Sequence, residues 1–206
     1  ADGLAVASAN YRLSQHASFP ARLEDVKTAV SWLRAQAREY GLVPGRFGVW
    51  AASAGGHLAA LLGTTHDVPE FDRGEPAGVS SRVPALCDRF GPTGFLQMNR
   101  FPGAMDPDVP DPPGSLLVAG PVQEHPDKVR RAHPLTCVSA DDPPFLIMQG
   151  DGTLVPLHQS QLLADALRAA GVPVQPEVIR GAGHRFGGPA VRDRVRGFCR
   201  ARLQHP

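Results

Sequence analysis

The sequence predicts an α/β fold built on a mainly parallel sheet, with helices on both faces. Three observations carry this. Short apolar, strand-like runs alternate with helical stretches along the chain. One strand-to-helix junction, Ala51-Ala-Ser-Ala-Gly-Gly56, consists only of small residues. The residues best suited to chemistry follow strand-like runs, at the end of a parallel sheet where functional groups collect.

The elements follow in order. Gly3 to Ala9 reads as a short buried strand. Pro20 to Tyr40 reads as a helix: Pro20 suits a first turn, and Glu24 and Asp25 suit its positive end. Val26, Val30, Leu33 and Ala37 recur at helical spacing, and Gly41 provides the stop. Arg46 to Trp50 is a second strand, leading through the small-residue junction into a helix over His57 to Leu62. Val83 to Cys87 is a third strand. The stretch 92–133 is rich in Pro, Gly and Asp up to Pro126, with a short helix expected near Asp127 to Ala132. It reads as a surface insertion or cap on a single domain spanning 1–206. Phe145 to Met148 is the fourth strand, Ser160 to Ala170 an amphipathic helix closed by Gly171, and Val174 to Ile179 the fifth strand. A glycine-rich loop precedes a final helix over Val191 to Leu203.

Composition narrows the function classes. The 206 residues are enough for one domain with a core of its own. Lys plus Arg is 21 and Asp plus Glu 20, a formal net charge of +1, which gives no electrostatic footprint for nucleic acid. No apolar run reaches the roughly 20 residues of a membrane span. Cys87, Cys137 and Cys199 are too scattered for a disulfide framework and lack zinc-ligand spacing, so neither metal nor compartment is indicated.

Ser53 is the first candidate for chemistry. A serine becomes a nucleophile when its oxygen is exposed and a base takes its proton. A sharp strand-to-helix turn exposes it, and such a turn needs small neighbours. Ala51, Ala52, Ala54, Gly55 and Gly56 meet that need, although Ala51 stands where the usual Gly-x-Ser-x-Gly pattern has glycine. The bland alternative is a serine that merely caps a helix. His184 is the second candidate. It lies in Gly181-Ala-Gly-His-Arg-Phe-Gly-Gly188, directly after a strand, where flanking glycines let the imidazole be aimed. His57 sits on the helix after Ser53, in a packing or capping position. His16, His66, His133, His158 and His205 read as surface residues. Asp151 is the third candidate, in Gln149-Gly-Asp-Gly-Thr-Leu-Val-Pro156 after the fourth strand. There it could orient the imidazole and stabilise its charge. The alternative is an ordinary turn aspartate before Gly152. Asp141 and Asp142 precede that strand and fall at the wrong end of the sheet. The order Ser53, Asp151, His184 is the one found on one of the known triad scaffolds.

These stretches, together with Asn10-Tyr-Arg-Leu13, Phe19 to Asp25, Phe90-Gly-Pro-Thr93, Ser139 to Leu146 and Val155-Pro156, give a resemblance that runs almost end to end. The chain resembles α/β-hydrolases of the carboxylesterase and hormone-sensitive-lipase-like group. The resemblance implies Ser53 as nucleophile, His184 as base and an aspartate before Val155-Pro156 as third member. It implies carboxylic ester substrates, an acyl-enzyme and no cofactor. It makes the N–H of Ala54 one oxyanion-hole donor. The group's pattern departs at two places. Gln149 stands for a histidine, and the acid loop is one residue short, so that Gly152 occupies the counted position and Asp151 is one place early. The strands that precede Gly3 in the group, including one ending in a His-Gly-Gly oxyanion loop, have no counterpart, so the fold is expected to be N-terminally truncated. An open sheet edge would result, closed by direct pairing of the Gly3 and Arg46 strands, by residues left out of this chain or, the outcome favoured for a complete chain, by a homo-oligomer paired through that edge.

Three readings result. The first is a serine carboxylesterase acting on small esters. The second is a serine peptidase of the prolyl-oligopeptidase type, which shares the turn and triad but usually carries a large extra domain. The third is a truncated, weakly active or inactive hydrolase that self-associates.

Overall fold

The computed structural model describes residues 3–73, 76, 78–101 and 113–203. Strands β1 (Gly48–Ala52), β2 (Ala85–Arg89), β3 (Phe145–Gly152) and β4 (Val174–Gly183) lie side by side in that order, each pair parallel. Parallel neighbours cannot be joined by a tight hairpin, so each connection carries helix. Helix α1 (Ala21–Ala35) precedes β1. Helix α2 (Ala54–Thr64) links β1 to β2. Helices α3 (Phe95–Met98), α4 (Pro113–Val118) and α5 (Pro126–Arg131) lie between β2 and β3. Helix α6 (Leu157–Ala169) links β3 to β4, and α7 (Pro189–Leu203) follows β4.

Alternation along the strands sends side chains to opposite faces, and both faces are covered. Leu86, Phe145 and Ile147 pack with Ala59, Ala60 and Leu62 of α2 and Leu163 and Leu167 of α6. Ala85, Cys87, Leu146 and Met148 meet Val191, Val195, Phe198 and Leu203 of α7. Helix α1 joins the first layer through Val26 and Val30. Its Lys27 is fully buried; the ammonium donates to the Thr65 carbonyl at 2.8 Å and pairs with Asp72. No helix among the described residues is long and apolar enough to cross a membrane.

The strand expected over Gly3 to Ala9 does not form: that stretch is irregular and exposed, with Val6 92% accessible. A strand needs a partner for its N–H and C=O groups, and β1, at the edge of the sheet, pairs on its one side with β2. The apolar pattern of Gly3 to Ala9 is real, but among the described residues no strand pairs with it.

The stretch 92–133, read as Pro- and Gly-rich surface, carries helices α3 and α4 as well as the expected α5; residues 102–112 lie outside the described residues. Phe95, Met98, Leu117, Val118, Val122, Val129 and Ala132 bury one another in a cluster of their own, with Phe19 against it. Phe95 sits between two histidines. Its ring meets His57 edge-on at 5.1 Å and His133 at 5.7 Å. Both carry the ring proton on Nδ1 but use opposite edges. His133 Nε2 accepts the Phe95 N–H at 3.0 Å, whereas His57 Nδ1 donates to the Pro92 carbonyl at 2.9 Å. His133 and His158 are therefore not surface residues, as the sequence suggested, but buried ones.

Burial lowers the pKa of both His57 and His133 to about 4. In the unfolded chain each returns to about 6.5. Between those values the unfolded state binds more protons, so these groups stabilise the fold fully above pH 6.5. That contribution is lost as pH falls toward 4. His133→Gln keeps an acceptor for the Phe95 N–H and does not titrate. In urea denaturation between pH 4.5 and 7, its stability should fall less steeply than that of the wild type. The difference should reach about 1.4 kcal/mol per pH unit at most. Equal slopes would mean that His133 is not held neutral.

Candidate active site

One residue separates the end of β1 from the start of α2. Ser53 makes this turn with φ 54° and ψ −124°, a backbone conformation costly for any residue with a Cβ. Two features hold it there. Its N–H donates to the Arg89 carbonyl at the end of β2, at 2.9 Å. The first turn of α2 also presses directly against β2. A Cβ on Gly56 would stand 2.2 Å from Asp88 Oδ1, and one on Gly91 would stand 2.6 Å from the backbone nitrogen of His57. Ala51, the departure from the usual glycine, lies within β1 in ordinary strand geometry. Its methyl faces Gly55, where an added Cβ would meet it at 3.3 Å, so Gly55 supplies the room that the missing glycine normally would.

His184 follows β4 and reaches back to this turn. Its Nε2 lies 2.9 Å from Ser53 Oγ. The imidazole packs on the Phe90 ring at 4.8 Å, and Phe90 packs on Phe186 at 5.0 Å. The Arg89 guanidinium ties the same loop down by donating to the Phe186 carbonyl at 3.0 Å. Burial, with a smaller push from Arg185, lowers the His184 pKa below the ordinary imidazole value. Its Nδ1 is buried and has no hydrogen-bond partner among the described residues.

Asp151 lies on the neighbouring strand end, where the β3–β4 register shifts between Gly150 and Gly152. Its carboxylate is exposed and accepts the Gly181 N–H at 2.7 Å; it makes no hydrogen bond to the imidazole. Gln149 grips the loop from within. Its Nε2 donates to the Val155 carbonyl at 2.8 Å, and its Oε1 accepts the Ser160 hydroxyl at 2.7 Å. Beside the loop is a cleft of about 500 Å³, lined by Asp151, Thr153, Leu154, Pro156, His158 and Phe101, with the last two rings stacked at 3.4 Å. Ala54 is exposed on the first turn of α2, where helix N–H groups lack partners within the helix.

The structure thus brings Ser53 and His184 together, with Ala54 alongside Ser53 and Asp151 on the next loop. Sequence reasoning passed over Asp88. This side chain is fully buried under α2; Oδ1 accepts the Gly91 N–H at 2.9 Å, and Oδ2 has no partner among the described residues. Desolvation raises its pKa to about 7. A carboxyl directly after the apolar run Ala85-Leu-Cys87 was the available signal.

A protein-family model described as BD-FAE matches residues 1–167 of this chain. The chain belongs to the BD-FAE family. Among relatives of this BD-FAE chain, esterase LipC of Mycobacterium tuberculosis (strain ATCC 25618 / H37Rv) is 31% identical over 188 residues, 90% of this chain and 46% of LipC. The probable carboxylic ester hydrolase LipM of the same organism is 34% identical over 170 residues, 82% of this chain and 38% of LipM. The chain therefore spans less than half the length of these two relatives. Among solved structures, a truncated form of a carbohydrate esterase from gut microbiota superposes with a TM-score of 0.87 at 30% identity, covering 95% of this chain and 73% of that one. A thermophilic esterase from Thermogutta terrifontis shares the fold, with a TM-score of 0.68 at 22% identity over 91% of this chain and 66% of its own. The BD-FAE chain thus has the α/β-hydrolase fold.

Proposed function

We propose that this chain hydrolyses carboxylic esters by acyl transfer through Ser53. The observation that carries the reading is the 2.9 Å approach of Ser53 Oγ to His184 Nε2 at a strained strand-to-helix turn. His184 Nε2 takes the Ser53 proton as Oγ attacks the ester carbonyl. The Ala54 N–H, on the leading turn of α2, faces the developing oxyanion. His184 returns the proton to the departing alcohol, leaving an acyl group on Oγ. Water then attacks the acyl carbon as Nε2 takes its proton, and Nε2 passes that proton to the departing Oγ, releasing the acid and restoring Ser53. The esterase relatives favour esters over peptide bonds, so the peptidase alternative falls behind.

Chromogenic short-chain esters should be hydrolysed by the purified chain, and a fluorophosphonate probe should label it at Ser53. Absence of both would end this reading. Because burial depresses the His184 pKa, the base stays deprotonated to lower pH than an exposed imidazole. The acid limb of kcat/KM should accordingly lie below the ordinary value of about 6.5. A limb well above it, measured with an ester whose own hydrolysis is flat in this range, would contradict the assigned base.

A further inference from the structure

We infer that Asp151 is a positioning residue that acts through the backbone of the histidine loop, and that Ser53 and His184 work as a dyad. The inference rests on the assignment of those two residues above. Its basis is the destination of the Asp151 carboxylate. Oδ1 accepts the N–H of Gly181, three residues before His184, at 2.7 Å. Gly181 has φ 71°, a left-handed turn within β4 where its register with β3 shifts, three residues ahead of the imidazole. A carboxylate that fixes this N–H fixes where the turn begins, and with it the distance from Nε2 to Ser53.

The imidazole itself is left unassisted. With Nε2 accepting from Ser53, the ring proton sits on Nδ1, which is buried without a partner among the described residues. The loop is also held away from an alternative arrangement. Gln149 fastens it to the Val155 carbonyl and to Ser160, and Asp151 fastens it to Gly181. The Gly181 N–H takes Oδ1 of Asp151, and Gln149 holds the loop's far end. The pairing of β3 with β4 gives the physical reason. Asp151 falls where the β3–β4 register shifts, across from the stretch between Ile179 and Gly183 whose Gly181 N–H its carboxylate accepts.

The two roles separate cleanly on Asp151→Asn. An amide oxygen accepts the Gly181 N–H as a carboxylate does, but it supplies no charge to an imidazolium. For a carboxylate bound to the imidazole, the same change costs about 10⁴ in kcat. Here Asp151→Ala should lower kcat about tenfold to a hundredfold with little change in KM, and Asp151→Asn should recover most of that loss. The His184 pKa, followed by NMR in the chain and in Asp151→Asn, should be the same within a few tenths of a unit and needs no turnover to be read. A drop of one unit or more, or a thousandfold loss of kcat in Asp151→Asn, would overturn the inference and restore Asp151 as the imidazole's partner. Ser53→Ala, assayed alongside, keeps the two questions apart: activity surviving in that variant strikes at the nucleophile and not at Asp151.

Discussion

Ser53→Ala should lower ester hydrolysis by a factor on the order of 10⁵–10⁶ while the chain stays folded. The hydroxyl is the group acylated in the proposed mechanism. The turn is not built on it: the Ser53 N–H to the Arg89 carbonyl, and the packing of α2 on β2, involve backbone and Gly56. Alanine keeps that N–H and adds no bulk. Triad and dyad members act as a unit, so His184→Ala should be nearly as damaging. Initial rates on a short-chain chromogenic ester, with thermal melts of both variants, check this. Substantial turnover in the purified alanine variant of Ser53 would remove it as nucleophile, whatever the fold.

Gly91→Ala should unfold or severely destabilise the chain. The added Cβ would stand 2.6 Å from both Asp88 Oδ1 and the His57 nitrogen, and 2.7 Å from the Gly56 carbonyl carbon. Two of those three atoms are backbone at the nucleophile turn, so no side chain can rotate out of the way. Overpacking commonly costs about 1–3 kcal/mol, and contacts this short with fixed backbone belong at or above the top of that range. The same substitution should also pull Ser53 away from His184, so any surviving protein should be poorly active. Equilibrium denaturation would detect the first effect and kcat the second. A variant within about 0.5 kcal/mol of the wild type would show that the approach of α2 to β2 is looser than described.

Much of this was legible in the sequence. The small residues 51–56 announced the turn because only sterics are at stake there, and sterics are local. The parallel sheet followed from alternation of apolar runs with helices. Gly3 to Ala9 misled, because an apolar pattern specifies what could be buried, not whether a neighbour exists. Helices α3 and α4 were hidden by proline and glycine, since their stability comes from burying Phe95, Leu117 and Val122 together. The packing role read for His57 holds, whereas His133 and His158 were illegible as buried residues. For His133 the hydrogen-bonded partner, the Phe95 N–H, is more than thirty residues distant. The destination of the Asp151 carboxylate depended on a register shift between two strands, which no single stretch of sequence encodes.

The backbone angle of Ser53 bears on how such a chain would drift. A residue with a Cβ at φ 54° carries a burden of about 1–3 kcal/mol that glycine would lift. Ser53→Gly should therefore melt at a higher temperature than the parent while being inert toward esters. A lineage retained only as a scaffold would find that exchange downhill, one codon change from silence with sturdier folding as the reward. A serine still sitting at the strained angle is what a lineage under demand for chemistry would leave behind.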